Sequence, residues 1–361
     1  MTDASHMYRA VFAQPSALRD VVQRTSGAVD ALAMRLAGRR RLFLVGLGTS
    51  LHAARAGAHL FRSWAPSTEV DVWSSFDFVH YGPAIHPDDA LVAMSHRGTK
   101  TFTAAAVELA GEAGCPTALV TGREPEGETR SLPDADIVVR TVEQERSSAH
   151  TVSFTGSVAV LAFLAARTGY HATGEARATA ELLYGRVADA LERALELENE
   201  VAGWAERWHG CRRLWLVGAG PGEVVASEAA LKIKETSYLQ AEGMSAEAMI
   251  HGPSRAMESD DLAVFVAPSG RGLSRVTELF LQVGALGPAR AVVADAGARE
   301  LVSGADGRAV VPELSEPLAS LSCLIPLQLF ACHLARIVGT DPDGFRLDDP
   351  RFARAEELLE L

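Results

Sequence analysis

The stretch "RLFLVGLGTS", Arg41–Ser50, returns in the same chain as "RLWLVGAGPG", Arg213–Gly222. Each copy is a short apolar run of Leu, Val and one aromatic residue that ends in Gly-x-Gly, with an Ala-rich stretch after it. A buried parallel strand reads this way when it stops at a tight turn and feeds a helix. Such a turn suits a phosphate, because glycines let backbone N–H groups approach it and the helix N-terminus carries partial positive charge. Taken alone, either copy reads equally well as a turn and nothing more. Together they predict a duplicated unit.

Outward from these copies, the order of elements repeats as well. "SALRDVVQRTSGAVDALAMRLAG", Ser16–Gly38, has helical apolar spacing and leads into the first strand. "EVDVWSS", "ALVAMS", "PTALVT" and "ADIVVR" follow as strand candidates with Ala-rich segments between several of them, the order of a doubly wound sheet. From Gly174 to Trp208 turn residues nearly vanish and Leu183, Val187, Leu191 and Leu195 recur at four-residue steps, which predicts a long connecting helix or helical pair. The second copy continues through a helix from about Val224, "LAVFVAPSG", a helix through "VTELFLQVGALG", "ARAVVAD", "RAVVPEL" and a last helix through "PLQLFACHLARIVG". A further strand and its turn echo too, "DDALVAMSHRG" in the first copy and "DDLAVFVAPSGRG" in the second. The expectation is an α/β fold of two tandem domains, each a doubly wound, mostly parallel sheet flanked by helices in three layers. The expected bounds are a helical segment over 1–38, a first domain over 39–173, linking helices over 174–208, a second domain over 209–345 and a tail over 346–361.

Composition bounds the function. A chain of 361 residues with 48% hydrophobic content has enough material for two cores. With 34 Lys and Arg against 46 Asp and Glu the formal charge is −12, which argues against a wide basic groove for nucleic acid. An anion must therefore be held locally. Cys115, Cys211, Cys323 and Cys332 lack the paired spacing of a zinc site and read as reduced, buried thiols of a cytoplasmic protein. No basic-apolar leader and no run of about 18 apolar residues is apparent, so neither export nor a membrane is expected. No metal or cofactor is called for. Nicotinamide binding in particular is disfavoured, because "GLGTSL" and "GAGPGE" both lack the third glycine of Gly-x-Gly-x-x-Gly.

Three places carry candidate chemistry. "SHRGTKT" follows the strand "ALVAM" and sets Ser95, His96, Arg97, Thr99, Lys100 and Thr101 around Gly98, a loop of hydroxyls, cations and backbone donors suited to a phosphate or carboxylate. Open α/β sheets bind ligands at that edge. In "SEAALKIKE" the helical period places Glu228, Lys232 and Glu235 on one stripe between apolar flanks, with Lys234 well off it. A carboxylate there, one turn from an ammonium, is a candidate proton-transferring base on a stripe expected to face a cleft. In "HGPSR", His251 stands beside a Gly-Pro turn, where an imidazole can open a sugar ring by moving a proton between the ring oxygen and the anomeric hydroxyl.

These residues resemble the sugar isomerase (SIS) domain proteins, and within them the tandem-domain isomerase half of glucosamine-6-phosphate synthase, from about Arg41 onward. "GTS" at Gly48–Ser50, with Thr49 and Ser50, and Ser-x-x-Gly at Ser95–Gly98 are similar to that family's phosphate turns. "ERSSAHTVSFT", Glu145–Thr155, is similar to its loop of form E-x-x-V-A-S-T-K-x-F-T, with His150, Thr151 and Val152 where the family has Ser-Thr-Lys. "EAALKIKETSYLQAEGMSAEAMIHGP" is similar to its helix and loop for acid–base chemistry, and "PLQLFACHLARIVGTDPD" extends the match. The resemblance implies that Glu235 is the enolisation base and His251 the ring-opening group, supported by Lys232 and Glu228. It also implies that the first copy binds the phosphate while the second supplies the acid–base groups. Three departures stand out. Arg97 and Lys100 replace hydroxyl residues of the phosphate loop. No glutaminase domain precedes the fold, so ammonia from glutamine is not expected to be made within this chain. In the tail "DGFRLDDPRF", Arg346 remains as a substrate-binding candidate, but Pro350 falls where the family's Schiff-base lysine stands, and proline forms no imine.

The expected partner is a phosphorylated sugar or amino sugar, and the expected assembly a homodimer with sites near its interface, because in the resembled synthases the corresponding histidine reaches a neighbouring subunit. Proton transfer between C1 and C2 through an enediol gives an aldose–ketose isomerase. Through an enolamine it gives a deaminase or deglycase. The sequence leaves both open, with isomerisation put first. A non-catalytic module that senses a phosphosugar is the alternative, and the absence of a visible helix-turn-helix or basic arm counts against a DNA-linked version of it.

Overall fold

The computed structural model describes residues 5–125 and 127–359. The chain divides into two compact units. The first-copy unit comprises Ala13–Glu145, Val152–Ala188 and the residues from Arg354 onward; the second-copy unit comprises the chain up to Phe12, Arg146–Thr151 and Asp189–Ala353. The cut falls within the opening helix α1 (His6–Leu36), which starts at His6 and not at the expected Ser16. Ser5 Oγ accepts from Tyr8 N–H at that start. Pro15 then sits inside the helix, and a proline that breaks the backbone hydrogen-bond pattern hides the turns before it from a sequence reading. The amide hydrogens of His6 and Met7 are delivered to the Asp343 carboxylate at 2.7 and 2.9 Å.

In the first-copy unit the strands β1 (Arg41–Gly46), β2 (Glu69–Ser74), β3 (Asp89–Met94), β4 (Thr117–Arg123) and β5 (Ile137–Glu143) form one parallel sheet in the order β2-β1-β3-β4-β5. Helices α2 (Thr49–Trp64), α3 (Ser75–Tyr81), α4 (Thr101–Glu112) and α5 (Val152–Thr173) belong to the same unit. β3 is buried along its whole length, as a central parallel strand covered on both faces must be. Phe43, Val45, Leu91, Ala93 and Leu119 of the sheet pack with Phe78 of α3 and Ala106, Val107 and Ala110 of α4.

Beyond a π-helical turn at Leu182–Val187 come α6 (Ala188–Leu195) and α7 (Glu198–Trp208), so the predicted connector is several short helices. The second-copy unit then builds β6 (Leu214–Gly218), α8 (Pro221–Ser237), β7 (Ala241–Ser245), α9 (Ala246–Ile250), β8 (Leu262–Ala267), α10 (Leu273–Leu286), β9 (Ala289–Ala294), α11 (Arg299–Gly304), β10 (Gly307–Val310) and α12 (Ala319–Val338), with α13 (Pro350–Glu356) after it. Its sheet is parallel, in the order β7-β6-β8-β9-β10. The duplication extends to register and dihedral angles. Leu42 pairs with Ala90 as Leu214 pairs with Leu262. Gly48 (φ 53°, ψ −127°) and Gly220 (φ 54°, ψ −123°) precede α2 and α8 in one conformation that glycine alone adopts without strain.

The strand starts are stapled alike. Fully buried Asp89 accepts from Arg40, Arg41 and the His86 amide, and buried Asp261 accepts from Arg213, Trp215 and the Glu258 amide. Burial pushes both carboxyls up, but the arginine and other hydrogen bonds together outweigh it and hold each below the usual aspartate range.

The structure departs from expectation at four further points. β7 forms where the sequence predicts a loop, because Ala-Glu-Gly-Met-Ser carries no β-branched residue and lies at the sheet edge. β10 stops at Val310, short of the expected "RAVVPEL", where Pro312 has no N–H for a ladder. Cys211 is half-buried, unlike the other three cysteines. Finally, α5 and the segment Glu316–Val338 are long and apolar enough to cross a membrane by length and composition, contrary to the sequence reading, and their apolar windows are 89% and 94% buried inside the protein. Helices apolar all round are what the centre of a large core takes.

Candidate functional site

β3 delivers the chain to the candidate anion loop, with Ser95 and His96 buried as it leaves the sheet. Ser95 Oγ accepts from the Gly98 amide at 3.1 Å. Gly98 has φ +75°, a conformation in which any side chain is strained, so the turn calls for glycine. The His96 ring faces inward, where Nε2 accepts from Glu145 N–H at 2.9 Å. Burial, the largest cause, holds this imidazole below its usual range, in the neutral form that an accepting nitrogen needs. The His96 carbonyl accepts from Gly122 N–H, the Thr121 hydroxyl and the Gln144 amide. His96 therefore braces the loop with its ring turned away from solvent.

Arg97 and Thr99 are exposed, and half-buried Lys100 stands at the N-cap of α4, a twelve-residue helix with no side-chain cap. Burial first, then the Arg97 charge, hold Lys100 below the usual lysine range. A helix N-terminus, an exposed guanidinium and an ammonium around one glycine turn are donors of the type that hold phosphate. Thr49 and Ser50, half-buried, open α2 after the Gly48 turn.

In the second-copy unit α8 brings the three stripe residues together. Lys232 Nζ lies 2.5 Å from Glu235 Oε2 and 3.5 Å from Glu228 Oε1. The stripe does not face a cleft along its length: Glu228 and Lys232 are fully buried, and only Glu235, 16% exposed at its side chain, reaches solvent, with Lys234 exposed elsewhere on the helix. Apolar neighbours on α8 such as Ala229, Ile233 and Val225 are buried with them, so the ammonium and its carboxylates neutralise one another out of water. The outcome is a carboxylate at the surface, hydrogen-bonded from beneath by a buried cation.

His251 stands at the carboxyl end of α9, its side chain 70% exposed and its Nε2 2.7 Å from Glu247 Oε1. Thr151 is fully buried and belongs to the same unit. Arg346, at φ +59°, lays its guanidinium 4.7 Å from the Tyr238 ring centre and 4.2 Å from that of Phe352. Pro350 opens α13, a first-turn position that costs proline nothing. Glu247, which meets His251, and Arg275, which meets Glu247, are not among the residues the sequence singles out. A signal for Glu247 is nonetheless present, since it precedes His251 by one helical turn in "EAMIH".

A family model described as SIS domain matches residues 35–167 and again residues 209–338. Glutamine–fructose-6-phosphate aminotransferase (isomerizing) of Thermococcus kodakarensis is 28% identical over 341 residues, 93% of this chain and 56% of that protein. The chain spans about half the length of the curated relatives it matches. Among solved structures, the C-terminal domain of glucosamine-fructose-6-phosphate aminotransferase from Francisella tularensis superposes with a TM-score of 0.83 at 20% identity, over 95% of this chain and 98% of that one. Tagatose-6-phosphate ketose/aldose isomerase from Escherichia coli does so with 0.76 at 19% identity, over 94% and 95%. With both copies of the repeat matched by the one family model and the two parallel sheets in place, the chain belongs to the SIS domain family.

Proposed function

We propose that this protein interconverts phosphorylated aldoses and ketoses by moving a proton between C1 and C2. The observation that carries the reading is the surface carboxylate of Glu235 seated on buried Lys232 and Glu228. The Ser95–Thr101 loop holds the phosphate. His251 opens the ring by passing a proton from the anomeric hydroxyl to the ring oxygen. Glu235 then takes the proton from C2 as the C1 carbonyl oxygen is protonated, which forms an enediol. It returns the proton to C1 as the C2 hydroxyl gives up its own, and a ketose remains. Glu235→Gln should keep the fold and phosphosugar binding yet lose at least about 10²-fold in turnover, the low end for a general base. Solvent deuterium should enter C1 or C2 with the wild type. Full activity in the Gln variant refutes the assignment, and binding without turnover in the wild type leaves a sensing module.

The name of the Thermococcus relative, an isomerizing aminotransferase, favours a second reading in which C2 carries nitrogen. The same proton transfer through an enolamine then yields an imine that water hydrolyses, and ammonium release measures it. We place the protein in the cytoplasm, since phosphorylated sugars are ionic and all four cysteines are free thiols. We further propose a homodimer in which His251 serves a partner's site. Mixing Glu235→Gln with His251→Ala, each inactive alone, should restore activity after subunit exchange. A mixture that stays inactive despite exchange places His251 in its own chain's site.

A further inference from the structure

His251 Nε2 meets Glu247 Oε1 one helical turn back, at 2.7 Å. Glu247 is held from its other side by α10, where Arg275 Nε donates to Oε2 at 2.7 Å and a terminal nitrogen of the same guanidinium lies 3.3 Å from Oε1. Arg275 is anchored in turn by Glu278 at 2.5 Å. The row runs imidazole, carboxylate, guanidinium, carboxylate. Isolated exposed pairs contribute little, but linked charges hold one another in place. Three further elements pack on α9: the short turn Pro253–Ala256, whose one charged residue is Arg255; β7, which carries Glu242; and β6, which carries no charged residue. The Arg275 hydrogen bond first, and the His251 one second, keep the Glu247 carboxyl down at about 2. It is thus an acceptor throughout the pH range in which sugars are processed. An ionised carboxylate has only lone pairs to offer, so the neutral ring facing it carries its hydrogen on Nε2 and its lone pair on Nδ1.

We propose that Glu247 is a positioning residue: with Arg275 behind it, it fixes His251 as the Nε2–H tautomer and so makes Nδ1 the nitrogen that exchanges protons with the ring oxygen and anomeric hydroxyl. This role rests on the functional reading of His251 as the ring-opening group. Such second partners set both the orientation and the tautomer of a working imidazole. Nitrogen-15 NMR of the His251 side chain in the full chain, without substrate, reads the tautomer directly, with His251→Gln assigning the signal. The expected result is hydrogen on Nε2 in the wild type and in Glu247→Gln, which keeps an accepting oxygen, and a mixture of tautomers in Glu247→Ala. Turnover should follow the same pattern: kcat falls about two- to fivefold in the Ala variant with KM unchanged, and recovers in the Gln variant. Hydrogen on Nδ1 in the wild type, or one tautomer ratio in all three proteins, overturns the proposal. The NMR readout needs no turnover, so a fixed tautomer in a protein that converts no phosphosugar refutes the functional reading while the Glu247–His251 geometry stands.

Discussion

The loop after β3 and the loop after β8 sit at equivalent places in the two copies and have opposite electrical characters. In the first, Ser95 accepts from Gly98, and Arg97, Thr99 and Lys100 lead into the uncapped start of α4. In the second, the amide and hydroxyl of Ser269 are both taken by Asp295 at 2.7 and 2.6 Å, the Gly297 amide joins them at 2.9 Å, and the Arg271 amide is taken by Glu316 at 2.9 Å. Donors of the second loop thus serve the chain's own carboxylates, which would repel an incoming anion. The helices differ in the reverse sense. Aligned on the repeat, Ala56, Leu60 and Ser63 of α2 stand where α8 has Glu228, Lys232 and Glu235. One copy keeps cations in its loop and no ionic stripe at these helix positions; the other keeps the ionic stripe and a loop whose donors serve carboxylates. Duplication let each half give up what the other retained.

The largest effect should come from the ionic helix. Lys232→Met removes a buried ammonium that faces two carboxylates, and urea unfolding should show a loss of about 3–5 kcal/mol, much of it recovered in a Glu228→Met, Lys232→Met double variant. A loss under about 1 kcal/mol, or none recovered, would mean that the triad is hydrated and that α8 is no more constrained than α2. Next in size is the loop contrast. Arg97→Ala should weaken inorganic phosphate or phosphosugar binding by about 1.5–3 kcal/mol by calorimetry, as for a charged hydrogen bond, whereas Ser269→Ala in the closed loop should leave it unchanged. Equal losses would move the anion off the first loop. The smallest effect concerns pH. Since burial holds Lys100 below the usual lysine range, its ammonium, the form that attracts an anion, is lost before pH reaches about 10.4. Phosphate affinity should fall as pH rises through that lowered value, and Lys100→Arg should remain flat over the same interval.

Much of this contrast is legible in the residues. Apolar runs such as "RLFLVG" and "LAVFVA" carry the strand signal because central parallel strands are buried on both faces. The helical period alone puts Glu228, Lys232 and Glu235 on one side of α8. Periodicity says which residues share a face, however, and not whether that face meets water, so the burial of Lys232 is out of its reach. β7 escapes a sequence reading for a related reason: its pairing with β6 supplies what the composition of Ala241–Ser245 lacks. His96 reads in sequence as one more polar loop residue, and only the fold turns its ring toward Glu145. The partners of Ser269 and Arg271 lie far along the chain at Asp295 and Glu316, and no local pattern announces them.

The opening of α1 has a consequence for the order in which the protein is made. Its first amide hydrogen bonds to Asp343 across 337 positions of chain. A ribosome that adds about 5–20 residues per second makes that partner on the order of 20–70 s after the helix. All five strands of the first sheet have been synthesised by Glu143, so the nascent protein already carries them while the front of its own helix waits for Asp343. The second-copy unit is closed by two stretches of chain made far apart in time.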